Sequence, residues 1–163
     1  ISFGFGSVSE GSNEDWDDMI ETNIKGLLNV TRTIIPGFIE RKKGHIINIG
    51  SIAGRQVYPK GTVYCATKFA VRAITQGLLM ELYDTPIRVS TIDPGLVETE
   101  FSLVRFKGDE DQAKQVYTGI TPLTSGDVAD AVVFCASRPP HVNISEMVLL
   151  PTDQASPYHV NRQ

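Results

Sequence analysis

The chain is poor in what would mark a secreted, metal-binding or nucleic-acid-binding protein. Two cysteines in 163 residues, Cys65 and Cys135, are too few and too far apart for a disulfide framework or a metal-ligand pattern. Buried free thiols fit a reducing compartment. The three histidines, His45, His141 and His159, form no constellation, so structural or solvent roles are expected for them and no metal site is expected. No apolar run reaches transmembrane length, and the chain does not open on a basic-then-apolar leader pattern. A cytoplasmic protein without a membrane partner is the expectation. Positive charge is also short: the formal net charge is −4, and the lysines and arginines are scattered. The densest group, Arg41-Lys42-Lys43, reads as a helix end meeting solvent, so no nucleic-acid partner is expected. One further absence is specific. No glycine-rich phosphate loop lies between a first strand and a first helix, and Gly4-Phe5-Gly6 lacks the third glycine and the strand–helix context.

What is present is globular: 41% hydrophobic and 21% charged residues, in a length sufficient for one domain. Ser12 and Asp15 could form a capping box before a helical pattern that runs from about Asp15 to Arg41, with Pro36 as a kink or local break. His45 to Gly50 reads as a buried strand and Gly54 to Gly61 as a loop. Thr62 to about Leu82 is a second long helix, and Ile87 to Ile92 a strand closed by Asp93-Pro94-Gly95. Residues from about Glu98 to Thr118 read as an exposed, mobile helical insertion. A capped helix from Ser125, a strand over Met147 to Leu150 and a polar tail complete the chain. Helices alternating with short apolar strands predict an α/β fold with a doubly wound parallel sheet.

The densest chemistry lies in Tyr64-Cys65-Ala66-Thr67-Lys68. Tyrosine and lysine four residues apart share a helix face. A nearby ammonium favours the ionised phenol, which otherwise titrates near pH ~10, too high for proton transfer at neutral pH. Ser51 precedes Tyr64 by thirteen residues, at the end of the strand His45 to Gly50. The three together suggest chemistry on an alcohol or a carbonyl.

Ser51, Tyr64 and Lys68, with Asn23 in Ile20-Glu21-Thr22-Asn23-Ile24-Lys25-Gly26 and the segment Asp93-Pro94-Gly95-Leu96-Val97-Glu98-Thr99, resemble the short-chain dehydrogenase/reductase family in type and spacing. The resemblance covers the C-terminal two-thirds of a member, so residues 1–163 are expected to be the C-terminal portion of a single Rossmann-like domain, helices on both faces of the sheet, with the cofactor loop upstream of Ile1. It implies that Tyr64 is the general acid/base and that Lys68 lowers its pKa and holds the nicotinamide ribose. Ser51 would hold the substrate oxygen, and Asn23 would support a proton-relaying water beside the cofactor. Pro94, Gly95, Val97 and Thr99 would contact the cofactor, Val97 mainly through its backbone.

The stretch from Gly95 to Gly108 and the ending from Pro151 to Pro157 resemble the NADP-dependent 3-hydroxy acid dehydrogenase branch, similar to serine and allo-threonine dehydrogenases. That implies NADP, with NAD as the alternative, and hydride transfer at the 3-hydroxyl carbon of small acids such as serine, allo-threonine or 3-hydroxypropionate. It also implies a homotetramer, with the tail in a subunit contact. Arg105 suits the substrate carboxylate, on a segment able to close over it; the alternative is a surface arginine paired with Glu100 or Asp109. Two other readings stand beside this one. One is a ketone or 3-ketoacyl reductase with the same four residues. The other is a catalytically inert fragment, if the chain begins where its sequence does.

Overall fold

The computed structural model describes all residues, 1–163, and places three parallel strands in the order β1-β2-β3. β1 spans Gly44–Ile49, β2 Ile87–Pro94 and β3 Glu146–Leu149. Gly44 pairs with Ile87 and Ile49 with Ile92, so β1 and β2 start level and β2 runs on to Pro94 beyond the end of β1. The alternation of side chains along each strand assigns its two faces. Ile46, Ile87 and Val89 point to one face and pack with Leu78, Leu82, Ile34, Ile35 and Phe38. Ile47, Ile92 and Met147 meet Ala131 and Cys135 on the other. Both faces are therefore covered, as the apolar strands require.

The first long helical run has three parts: α1 (Asn13–Ile20), a π turn (Glu21–Gly26) and α2 (Leu27–Glu40). The departure from α geometry lies at Asn23 rather than at Pro36, through which α2 continues. Ser12 caps α1 by accepting from the Asp15 N–H at 3.4 Å, but the reciprocal half of the box is absent. The Asp15 carboxylate is instead engaged by Lys107 at 2.8 Å. The reciprocal box occurs at Thr124 and Asp127, where α6 (Ser125–Ala136) begins. At the other end of α6, the Arg88 guanidinium donates to the carbonyls of Cys135, Ala136, Arg138 and Val142, satisfying a helix terminus with a cation.

α3 (Thr62–Glu81) crosses behind the sheet. Its Thr75 hydroxyl accepts from Asn48 at 2.9 Å and donates to the Val71 carbonyl, so a buried amide on β1 is paired across the core. His45 is held by Ser90 at 2.7 Å, and burial, then Arg88, lowers its pKa to about 4. It is a neutral structural histidine. The segment expected to be an exposed insertion is two short helices, α4 (Phe101–Arg105) and α5 (Glu110–Gln115). It is packed down: the Gly4 N–H donates to the Arg105 carbonyl, and the Tyr117 hydroxyl donates to the Val97 carbonyl. No helix is long and apolar enough to cross a membrane.

Gly50, between β1 and Ser51, has a steric reason to lack a side chain. A Cβ there would lie 2.0 Å from the Asp93 carboxylate oxygen and 2.8 Å from the Thr91 hydroxyl. Both belong to a buried, hydrogen-bonded pair that cannot move aside cheaply. Gly77, inside α3, meets nothing within 4 Å. Gly50→Ala is therefore expected to lose about 1–3 kcal/mol in urea unfolding, the cost of overpacking. Gly77→Ala is expected to gain about 0.5–1 kcal/mol from helix propensity.

Candidate functional site

Ser51 leaves β1 with an extended backbone (φ −174°), and its hydroxyl accepts from the Ala53 N–H at 3.1 Å, capping the 3₁₀ turn Ile52–Gly54. That turn lies against α3 so closely that a Cβ on Gly54 would sit 2.6 Å from the Lys68 carbonyl. Ser51 is thereby brought beside Tyr64 and Lys68, which share one face of α3. The Thr67 hydroxyl, buried between them in sequence, donates to the Tyr64 carbonyl at 2.8 Å and accepts from Asn23 at 3.0 Å. The remaining bonds of Asn23 go to the backbone of Ile1, which it meets through both its amide nitrogen and its oxygen. Its side chain ties the π turn to α3 and to Ile1. It makes no bond to Lys68.

The electrostatics differ from the expectation that Lys68 lowers the Tyr64 pKa. Tyr64 is buried, and burial pushes its phenol up to about 12; the neighbouring Ser51 hydroxyl pulls the other way. The Lys68 ammonium lies 5.9 Å from the Tyr64 ring centre and donates to the Ile49 carbonyl at 3.0 Å. Desolvation draws it down to about 8, opposed by Asp93. The lysine is thus held over the end of β1, with its other N–H groups free, and it does not contact the phenol oxygen. Shared helix face alone does not deliver the pairing: one group is dehydrated while the other bonds a backbone carbonyl.

Asp93 lies under this floor. It accepts from Thr91 at 2.8 Å and from Arg55 at 2.7 Å. Arg55 also bonds Glu146, which Arg72 and Gln76 hold from α3. Burial alone would raise Glu146, but the hydrogen bonds from Arg55, Gln76 and Arg72 outweigh it and hold the carboxyl at about 2. Beyond Asp93 the strand opens onto the cavity. The Gly95 N–H donates to Leu149, and its α-carbon faces Gln154, whose amide oxygen accepts from the Leu96 N–H at 2.8 Å. Gln154 is a supporting residue with no distinct signal in the sequence. The Val97 carbonyl accepts from Tyr117, while the Val97 N–H has no partner within the chain. Thr99 accepts from the Phe101 N–H at 3.2 Å, with its hydroxyl hydrogen still available.

Arg105, on α4, pairs with neither Glu100 nor Asp109. It donates through Nε to Ser2 at 3.0 Å and through Nη2 to the Tyr58 hydroxyl at 2.6 Å. Its guanidinium carbon lies 5.0 Å from the Tyr64 ring centre and 4.8 Å from that of Phe101. Ser51, Tyr64, Lys68, Pro94, Gly95, Val97, Thr99 and Arg105 all line one cavity of about 750 Å³. Asn23 stands behind that cavity rather than in its wall. Tyr58 and Ser2 were missed from the sequence because their only signal is proximity to a residue some fifty to a hundred positions away.

The cavity wall offers donors suited to a sugar diol (Lys68, Tyr64) and to a primary amide (the Val97 N–H). With an acid/base phenol and a hydroxyl donor beside it, the arrangement can move a proton to or from a substrate oxygen.

Comparison with known proteins agrees in fold and in sequence. The short chain dehydrogenase family profile matches residues 3–110. The chain is 47% identical over 156 residues to the NADP-dependent 3-hydroxy acid dehydrogenase YdfG of Salmonella typhi, covering 95% of this chain and 63% of that protein. It is 42% identical over 163 residues to the NADP-dependent 3-hydroxy acid dehydrogenase of Schizosaccharomyces pombe, covering 100% of this chain and 63% of that one. A solved structure described as the closed form of serine dehydrogenase complexed with NADP+ superposes with a TM-score of 0.95 at 45% identity, over 100% of this chain and 66% of that one. The chain spans 63–66% of the length of these relatives.

The raised Tyr64 pKa has a measurable sign. A phenol whose folded pKa lies above its unfolded value near 10 stabilises the fold while protonated; that stability falls as pH rises from 10 through about 12. Tyrosinate absorbance titration of the protein is expected to show a step near pH 12 that Tyr64→Phe abolishes. A titration unchanged by Tyr64→Phe would contradict the burial argument.

Proposed function

The chain belongs to the short-chain dehydrogenase family, and from that premise we propose that it carries the catalytic side of an NADP-dependent oxidoreductase acting on small 3-hydroxy acids, such as serine, allo-threonine or 3-hydroxypropionate. We assign residues 1–163 to the C-terminal portion of a single short-chain dehydrogenase domain. The observation that carries the substrate class is Arg105. It is a half-buried guanidinium without a carboxylate partner, in the same cavity as Ser51 and Tyr64. A cation held out of water without a counter-ion is costly, and a bound carboxylate relieves that cost.

The residues fit a nicotinamide cofactor on the chain's own chemistry. The unpaired Val97 N–H suits the carboxamide, and the free N–H groups of Lys68, with the Tyr64 hydroxyl, suit the ribose diol. Thr99, Pro94 and Gly95 complete the wall. The nicotinamide, when bound, supplies or accepts the hydride. Tyr64 holds the proton: its neutral phenol donates to a carbonyl oxygen during reduction and becomes the phenolate, and in oxidation that phenolate receives the hydroxyl proton. Ser51 orients the same oxygen. Lys68 keeps a positive charge over the strand ends, and this favours the phenolate as it forms. Asn23 acts through Thr67, fixing the α3 turn that bears Tyr64.

The resemblance implies a homotetramer, and the exposed Met80 on α3, Tyr83 just beyond it and Val30 on α2 are apolar side chains available to subunit contacts. The same reading places the protein in the cytoplasm.

Absorbance of the reduced nicotinamide reports the activity directly. Tyr64→Phe is expected to reduce kcat by about 100- to 10,000-fold, the range for loss of a general acid/base. Arg105→Ala is expected to raise KM for 3-hydroxypropionate about 10- to 100-fold, as for loss of a charged hydrogen-bond partner, and to leave KM for its methyl ester nearly unchanged. Equal effects on acid and ester would remove the carboxylate anchor. No turnover with any of the three acids would remove the substrate class.

A further inference from the structure

A guanidinium presents two edges, each with a pair of parallel N–H bonds: Nε with Nη2, and Nη1 with Nη2. In Arg105 the first edge is taken. Nε donates to Ser2 Oγ at 3.0 Å and Nη2 donates to Tyr58 Oη at 2.6 Å, while Nη1 has no hydrogen bond in the protein. Neither acceptor is a loose surface group. Ser2 is 1% exposed, and its neighbour Asn23–Ile1 clasp holds the backbone on one side. Tyr58 packs near-parallel to Phe5, with ring centres 6.4 Å apart. Burial raises the Tyr58 phenol, and the Arg105 charge opposes the rise, so the hydroxyl is neutral and accepts from the guanidinium. The rings of Phe5, Tyr58, Tyr64 and Phe101 all lie within 5.9 Å of the guanidinium carbon and limit its tilt.

We propose that Tyr58 and Ser2 are positioning residues that lock Arg105 so that only its Nη1–Nη2 edge is left for the substrate carboxylate, and that this lock sets enantiomer selection at the carbinol carbon. The inference rests on Arg105 being the carboxylate anchor. Its reasoning is geometric. A carboxylate gripped along one defined edge has a fixed plane and direction. The reacting oxygen is fixed by Ser51 and Tyr64. With carboxylate and oxygen both placed, the hydrogen and the remaining substituent on the carbinol carbon can be arranged in two ways, and only one puts the hydrogen towards the hydride acceptor. A guanidinium free to rotate would accept the carboxylate in several orientations and blur that choice. The energetic content lies in pre-organisation: the hydroxyls orient the arginine before substrate arrives.

The experiment compares the wild-type protein with Tyr58→Phe, Ser2→Ala, Arg105→Ala and the double variant Tyr58→Phe/Arg105→Ala. The probes are the two enantiomers of 3-hydroxybutyrate and their neutral methyl esters. Tyr58→Phe retains the ring and its packing and removes only the acceptor. It is expected to raise KM for the favoured acid about tenfold, the lower end for a hydrogen bond to a charged group. The same variant lowers the ratio of kcat/KM between the two acid enantiomers, with KM for the esters unchanged. Ser2→Ala changes the same quantities in the same direction. In the Arg105→Ala background, Tyr58→Phe has no further effect on the acids. Equal changes for acids and esters, or an unchanged enantiomer ratio in both single variants, would overturn the lock while leaving the anchor intact. If Arg105→Ala itself fails to separate acid from ester, the anchor reading falls and the lock falls with it.

Discussion

The site depends on one buried ion pair. Asp93 is almost fully removed from solvent at the end of β2, and Arg55 reaches it from the turn that follows Ser51. Burying a carboxylate costs several kcal/mol unless it is paired and hydrogen-bonded, and here Arg55 and Thr91 do both. The pair closes the Ser51 turn onto the neighbouring strand. Through Glu146 and Arg72 it reaches the start of β3 and α3 as well, so one network fastens the turn after β1, the end of β2 and the start of β3 to the helix that carries Tyr64. Gly50 is the steric consequence: the carboxylate occupies the space where its side chain would be.

The same network sets the local field. Asp93 raises the pKa of Lys68 against the desolvation that lowers it, so the lysine is drawn down to about 8 and no further. A Lys68 with no anion below it would lose its charge more readily. An Asp93 without Arg55 would be an unpaired buried anion. The pair therefore gives Lys68 a screened, nearby negative group rather than a salt bridge, and leaves its N–H groups for the Ile49 carbonyl and for the cavity. Tyr64 has the opposite problem. It sits in the apolar cluster of Met19, Ala53 and Cys65, which is why burial dominates its titration.

Much of this was legible in the sequence, and the failures have specific causes. The apolar runs at Ile46 and Ile87 announced strands, because a doubly covered parallel sheet needs them. The spacing of Tyr64 and Lys68 announced a shared helix face. Spacing does not report depth, however. The phenol's burial comes from Met19, Phe3 and Phe101, which arrive from three separate stretches of chain. The helix break was expected at Pro36, the residue with a local signature, yet it lies at Asn23, where a side chain is drawn to Ile1 and Thr67. For Arg105, the alternative to a substrate carboxylate is pairing with Glu100 or Asp109, acceptors that are near in sequence. The fold supplies Tyr58 and Ser2 instead. Long-range polar pairs of this kind have no periodicity to betray them.

The distribution of cations then separates scaffold from site. Arg55 and Arg72 share Asp93 and Glu146 on the underside of the strand ends, and Arg88 is spent on the carbonyls that close α6. Lys68 and Arg105 are the two half-buried cations of the cavity, and both rest on neutral oxygens, a carbonyl in one case and two hydroxyls in the other. Neutral acceptors satisfy direction without cancelling charge. Two positive groups flanking one buried phenol raise the cost of the cavity when it is filled only by water, and lower the energy of any negative charge that enters it or develops there. The structure keeps its ion pairs where rigidity is needed and withholds counter-ions from the two cations beside Tyr64. That asymmetry, rather than any one distance, is what favours negative charge in the cavity, as the proposed carboxylate substrate and a phenolate at Tyr64 require.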